Sequence, residues 1–441
     1  MSHPLPSVRV PLRLPTAIAT FGIGIAGYLG VNLSPYMISA LQSALGTDVL
    51  TASWIVTGAL LLTAIAGLAT AKLSAGRRRR LVARVGLALS VVGFGAAALL
   101  PAPGVVVAGL LIGGLGAGGA VSSSGAAIAA FLNPDRVAGI NGLANRAVVT
   151  VILAVVPLVG LAPINVFGTL ALFALIVLFT SAWLPAAPAV DHVAATVASD
   201  DAPHAASGPH AASGAPAVRR PRRTETIAGF VLLITFALWA ASEDSLWAMA
   251  GVMGAEQAAL TPEGLGLALS GATAGGLVGA VLLMIVGDRL GRAVPLAILL
   301  VAGGILKIVE GFVADPTSFI VVFIVWNTVY AIAFMYFVAT SSGLDADGRW
   351  SGPLLAVYLV GSSLTPVIGA ALVEAFGYQG FTVVLGIASF VLAVPAFLVA
   401  RISSRLQRTE EAAAADAAGA AAGPDAAPAS ATTTTTEEVS A

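Results

Sequence analysis

Apolar runs of twenty or more residues, broken by Arg, Pro and Gly, repeat along most of the chain. A helix needs about 20 residues at 1.5 Å each to cross the hydrocarbon layer, and about 25 when tilted. With charges, Pro and Gly as punctuation, the pattern predicts twelve spans, at 16–40, 50–71, 81–101, 104–131, 138–161, 163–185, 226–252, 263–286, 293–314, 317–341, 352–375 and 378–401. Lipid offers no partner to a free backbone group, so a span is either a helix or part of a closed barrel. The runs are continuous rather than alternating, which excludes the barrel.

Composition agrees. Of 441 residues, 58% are hydrophobic and 10% charged, with a mean hydropathy of +0.96, whereas a soluble chain carries about a quarter charged residues. The absence of cysteine excludes disulfides, thiolate metal sites and cysteine nucleophiles. The net charge of −1 says little; its distribution says more. Arg9, Arg13, Lys72, Arg77 to Arg80, Arg136, Arg219, Arg220, Arg222, Arg223, Arg289, Arg292, Arg349, Arg401, Arg405 and Arg408 all fall on one side of the twelve-span arrangement. The opposite connections carry no Lys or Arg. The positive-inside rule then makes both termini and the central loop cytoplasmic. Arg84, Arg146 and Lys307 are left within spans.

The expected organisation is a cytoplasmic N-terminal segment (1–15), a six-helix bundle (16–185), a flexible cytoplasmic linker (186–225), a second bundle (226–401) and a cytoplasmic tail (402–441). The start has no cleavable signal pattern, so the first helix is expected to stay. The linker is rich in Ala, Ser, Gly and Pro and contains "PHAASG" twice, at 203–208 and 209–214; such a composition buries too little to fold. His192, His204 and His210 lie there and His3 in the head; metal binding is the alternative reading of these histidines, but their spacing is loose and a plain linker is favoured, so neither metal nor cofactor is expected. The tail reads as disordered, although its alanine run could be helical.

The halves also echo each other. "SAGRRRRL" follows span 2 (Gly76, Arg77, Arg78) and "GDRLGRAVPL" follows span 8 (Asp288, Arg289, Gly291, Arg292). "RVAG" at Arg136 and Gly139 matches "RWSG" at Arg349 and Gly352. "VPLVG" (Pro157, Gly160) matches "TPVIG" (Pro366, Gly369). Three matches in order, at an offset of roughly 210 residues, mark a structural repeat. The fold class is therefore an all-α polytopic membrane protein, twelve transmembrane helices in two pseudo-symmetric six-helix bundles.

With these loops the chain resembles the major facilitator superfamily of secondary transporters. That family's loop between spans 2 and 3 reads G-x-x-x-D-R-x-G-R-R, and the copy at 288–292 fits better than the first, where Leu73 stands in place of the Asp. The resemblance implies a cytoplasmic gate formed by Gly76, Arg77, Arg78, Asp288, Arg289, Gly291 and Arg292. Simple anchoring of the basic cluster at the membrane surface explains "GRRRR" as well. Drug–proton antiporters of the family carry an Arg before a G-x-G in span 4; here Gly114 and Gly116 are present, but Leu110 replaces the Arg. Of their span 5 element only Pro157 and Gly160 remain.

Charge inside a membrane needs a reason. Arg146 cannot plausibly deprotonate, so it binds an anionic group, pairs with an acid across the bundle, or snorkels. In "FALWAASEDSLWAMAG", Glu243 shares a helix stripe with Trp239 and Trp247, while Asp244 points about 100° away. If span 7 continues to Ala250, both acids lie within the membrane or its mouth, and Glu243, desolvated between the two indoles, is the expected proton-coupling residue, with Asp244 as its companion. If it stops near Ser242, they are interfacial. Lys307 and Glu310, at i and i+3, read as a self-satisfied pair near the outer headgroups. Substrate contacts are expected from Arg146, Asn32, Tyr36, Ser123, Trp239, Asn327 and Tyr330, with polar bonding between helices as the alternative for each.

The function expected is proton-coupled efflux of small organic or amphipathic compounds by alternating access, from a monomer in a bacterial inner membrane whose partners are substrate, protons and lipid. The alternative is proton-coupled uptake of an organic anion held by Arg146. An enzyme would need a catalytic constellation, and no span contains Cys or His. No phosphate-binding loop is present for ATP-driven transport.

Overall fold

The computed structural model describes residues 9–185, 223–286, 291–344 and 350–421. Thirteen helices follow one another: α1 (Leu14–Asn32), α2 (Ser34–Leu45), α3 (Val49–Ala75), α4 (Arg79–Leu99), α5 (Pro103–Ile128), α6 (Pro134–Val155), α7 (Pro163–Thr180), α8 (Arg223–Ala258), α9 (Pro262–Val286), α10 (Ala293–Glu310), α11 (Pro316–Ser342), α12 (Ser351–Ser363) and α13 (Thr365–Ala421). Several open on proline, whose missing N–H is one the first turn leaves unbonded anyway. Asp48 and Asp315 cap α3 and α11 by accepting from Thr51 N (2.7 Å) and Ser318 N (2.9 Å). These bonds hold both exposed carboxyls below the usual range.

Two expected spans are bent, and one boundary between spans is only a turn. The segment at 16–40 breaks at Leu33 ahead of Pro35, giving α1 and α2. That at 352–375 breaks at Leu364 ahead of Pro366, giving α12 and the start of α13. A proline inside a helix removes a hydrogen bond and clashes with the preceding turn. In the other half, α6 tightens to a 3-10 turn at Val156–Val159, around Pro157, and stops at Gly160 with φ 95°. Within α13 only Gly377 leaves the helix, at φ 67°, a left-handed value that glycine adopts at no steric cost. On either side of Gly377 run separate rods, consistent with twelve spans. The last continues to Ala421, through 402–421 where a disordered tail is expected, because alanine is the strongest helix former.

Within the first bundle α5 runs close to α3 and α4. A Cβ on Gly114 would lie 2.2 Å from Ala59 O, and one on Gly116 2.3 Å from Gly86 O. Small residues here let backbones meet where lipid supplies no hydrophobic drive.

The bundles touch at one end. One apolar core draws on both, combining Leu33, Met37, Leu41, Val56 and Leu153 with Trp247, Met249, Met253, Leu269 and Phe323. These residues lie toward the end opposite the chain termini, here called the distal end. Toward the termini the described cores stay separate: Ile23, Leu87 and Ala174 in one bundle, Phe236, Leu296 and Phe337 in the other. Hydrogen bonds reinforce the distal contact, from Trp247 Nε1 to Asn32 O (3.2 Å), from Val367 N to Thr57 Oγ1 (3.2 Å), and between Thr150 and Thr273 hydroxyls (2.7 Å). Among the described residues the two bundles are joined distally, and their cores part toward the termini.

Candidate functional site

The acids lie in the middle of α8. That helix has 36 residues and runs on to Ala258, so Asp244 sits about 5 Å beyond its midpoint at helical rise. Both acids are buried, Glu243 at 2% and Asp244 at 9% exposure. Being adjacent, they face different neighbours.

Glu243 points into the second bundle. Its Oε1 accepts from Lys307 Nζ at 2.7 Å and its Oε2 from Trp326 Nε1 at 2.7 Å. Lys307, at 0% exposure, also donates to Ser242 Oγ (2.9 Å) and Ser389 Oγ (2.6 Å). All three ammonium donors are used, the condition under which a buried pair is tolerable. This corrects the expected Lys307–Glu310 pair at the headgroups. Gly304 lets α10 press inward: Gly386 O would lie 2.9 Å from a Cβ there, and Lys307 about one turn on is carried into the bundle. Glu310 is also fully buried, and its carboxylate has no hydrogen-bond partner among the described residues.

Asp244 faces α11 and α12 of the same bundle. Ser362 Oγ donates to its Oδ2, and Tyr330 Oη to its Oδ1 at 3.3 Å. The Tyr330 and Tyr358 hydroxyls are 3.4 Å apart. No cation pairs with Asp244 among the described residues. Trp239 stacks on Tyr330 with ring centroids 5.3 Å apart. Tyr330, Tyr358 and Arg146 are partly exposed. Arg146 reaches across from α6 and lies over Gly276 of α9, whose Cβ would come within 2.2 Å of its Nη1. Ala331 flanks the same spot. A carboxylate held by hydroxyls thus lies against an aromatic wall, and a guanidinium from the opposite bundle reaches α9 and α11 beside Tyr330.

This arrangement, with the repeat and the two bundles, matches a known architecture. The profile of the Major Facilitator Superfamily fits residues 16–344. The chain belongs to that superfamily. Among solved structures, a Glu-to-Gln variant of the peptide transporter POT in complex with sulfate aligns at TM-score 0.69 and 15% identity, covering 91% of this chain and 98% of that one. A D-xylose-proton symporter aligns at 0.63 and 17%, covering 86% and 95%. The xylose transporter XylE from E. coli, in a partially occluded inward-open conformation, aligns at 0.62 and 14%, covering 86% and 95%. At these identities the likeness concerns the fold. No curated protein matches the chain. This member of the superfamily is a multi-pass membrane protein with a transporter fold.

The remaining candidates divide. Tyr330 bonds Asp244 and Trp239 stacks on Tyr330, while Arg146 lies over Gly276 and Ala331. Asn327 is buried on α11. Asn32 turns its amide back to Tyr28 O (2.9 Å) and lends its carbonyl to the distal seal. Tyr36 is fully buried and donates to Leu153 O at 2.7 Å. Ser123 donates to Gly119 O (2.7 Å) and Arg79 O (3.4 Å), joining helix ends rather than facing the parting. In "GRRRR", Arg77 and Arg78 are exposed, whereas Arg79 is 2% exposed and donates to Ser74 O and Pro185 O. Gly76 ends α3 and Gly291 turns at φ 65°. Arg292 lies against Gly343. Asp288 and Arg289 fall outside the described residues. Tyr358, Ser362, Lys307 and Trp326 were not singled out as partners of the acids. The spacing in "YLVGSS" puts Tyr358 and Ser362 on one helix face, a signal that polarity along span 11 would have supplied.

Proposed function

We propose that this protein is a proton-coupled secondary transporter of small organic compounds in which Asp244 carries the proton. One observation carries the reading: of two adjacent buried acids, Glu243 is neutralised by Lys307, and among the described residues Asp244 has only hydroxyl donors. A carboxylate without a fixed countercharge can exchange its proton at lower cost than one in a saturated ion pair. When ionised, Asp244 accepts from Tyr330 and Ser362; when neutral, it offers a donor of its own. Each state favours a different partner, so proton and cargo bias the two bundle arrangements in turn. The chain's role is transport, without catalysis.

The termini end is cytoplasmic under the positive-inside rule, so the distal seal faces outward and the parting faces the cell interior. The aromatic wall of Trp239, Tyr330 and Tyr358 suits amphipathic cargo, and in the bacterial inner membrane an inward parting would load such compounds for export by antiport. A second reading, uptake of an organic anion together with a proton, is favoured by Arg146 and by the proton-symporting neighbour. In both readings the transporter works as a monomer.

The test uses inside-out vesicles with an acidified lumen containing wild-type, Asp244→Asn or Glu243→Gln protein. A panel of cations, neutral amphiphiles and organic anions is screened for compounds that dissipate the pH gradient. Dissipation lost in Asp244→Asn establishes coupling and names the cargo class, and its pattern across the panel separates export from anion uptake. If Asp244→Asn transports with unchanged pH dependence, the proton site lies elsewhere.

A further inference from the structure

One cavity among the described residues lies outside the transport parting. It is a shallow groove of about 520 Å³ between α4 and α7, lined by Arg84, Val85, Ala88, Leu178, Phe179, Ser181 and Ala182. Both helices pack only within the first bundle, so the groove opens on the surface that meets lipid. Its walls are apolar and exposed, with Phe179 at 77% and Val85 at 49%.

Into this wall projects one charge. Arg84 lies about 7.5 Å along α4 from Arg79 at helical rise. Its side chain is exposed, and its Nε reaches Ser181 Oγ at 3.3 Å. No carboxylate pairs with it among the described residues. From residue 49 to 134 the sequence has no Asp or Glu, yet it carries Lys72, Arg77, Arg78, Arg79, Arg80 and Arg84. Trp183, 48% exposed two residues beyond Ser181, marks the level of the membrane interface. A lipid-facing guanidinium with no protein countercharge, at that level, requires an anion from the membrane.

We propose that the groove between α4 and α7 is a binding site for one anionic phospholipid. Arg84 and the Ser181 hydroxyl take the phosphate, and Val85, Ala88, Leu178 and Phe179 bed the adjoining acyl chain. Arg80, exposed one turn nearer the end and donating to Leu184 O at 2.8 Å, adds charge above the headgroup. The site is independent of the proposed transport chemistry.

The test is native mass spectrometry of the full chain, released from detergent with added phosphatidylglycerol or phosphatidylcholine, and thermal melting in nanodiscs of each lipid. Wild type, Arg84→Ala, Arg84→Lys and the distant Arg136→Ala are compared. The expected result is one tightly retained phosphatidylglycerol, with retention reduced about tenfold or more by Arg84→Ala, in part by Arg84→Lys, and unchanged by Arg136→Ala. The melting gain in phosphatidylglycerol should vanish only in Arg84→Ala, whose melting in phosphatidylcholine should match wild type. Undiminished retention in Arg84→Ala, equal loss in Arg136→Ala, or equal retention of phosphatidylcholine would each overturn the proposal. Added inorganic phosphate should not displace the lipid; displacement would mean a free-anion site instead.

Discussion

Lys307→Met leaves Glu243 buried with only Trp326 to satisfy it. The pair is 2.7 Å apart with exposures of 0% and 2%, so solvent screening is slight. Two unit charges about 4 Å apart at an effective dielectric near 20 attract by about 4 kcal/mol, and removing one partner of a buried pair costs about 3–5 kcal/mol. Ser242 and Ser389 lose their donor as well. The single variant should therefore melt roughly 6–10 °C lower in detergent, at about 2 °C per kcal/mol for a chain of this size. In the double variant Glu243→Gln/Lys307→Met the stranded charge is gone, and most of that loss should be recovered. The assay is the apparent melting temperature from size-exclusion fluorescence for wild type, both singles and the double, read as a coupling energy. If the two single losses add in the double variant, the pair is not coupled and the division of labour between Glu243 and Asp244 fails.

Two further predictions concern packing and the seal. Gly114→Val should push α3 and α5 apart and lower the folded yield, overpacking that costs about 1–3 kcal/mol or more; Gly104→Ala, where a Cβ meets nothing within 4 Å, should leave yield unchanged. Trp247→Phe removes one distal hydrogen bond worth about 1 kcal/mol, so a maleimide reagent confined to the distal side should modify a Ser39→Cys probe about fivefold faster. Because the chain has no native cysteine, that probe is unique, and an unchanged rate would mean that the bond does not hold the seal.

Helix placement was legible because each span must bury its own backbone and the apolar runs leave little choice. The breaks at Leu33 and Leu364 were less so. Pro35 and Pro366 were visible, but a proline in a span can kink it or end it, and tertiary packing decides which. The unusual charges near Asp244 were visible too, since a carboxylate in such a run needs a reason. Their partners were not. Lys307 lies three residues from Glu310 and far from Glu243 in sequence, so local spacing favoured the wrong acid. Only the approach of α10, permitted by Gly304, selects Glu243. Arg79 was hidden for a related reason: four identical side chains in a row give no hint which one turns inward.

The Lys307 ammonium joins α8, α10 and α13 at one point, and Trp326 of α11 shares its carboxylate partner. These four helices are thereby tied together beside Asp244. The same α8 bears Trp247 and Gly251 at the distal seal, where Gly251 packs against Pro35 and Ser39. In the proposed cycle a displacement at residue 244 would not slide α8 past its neighbours, because the tie would pass it to the bundle as a body. A small change at one side chain would then become a rotation with a long lever arm, felt most at the far rim.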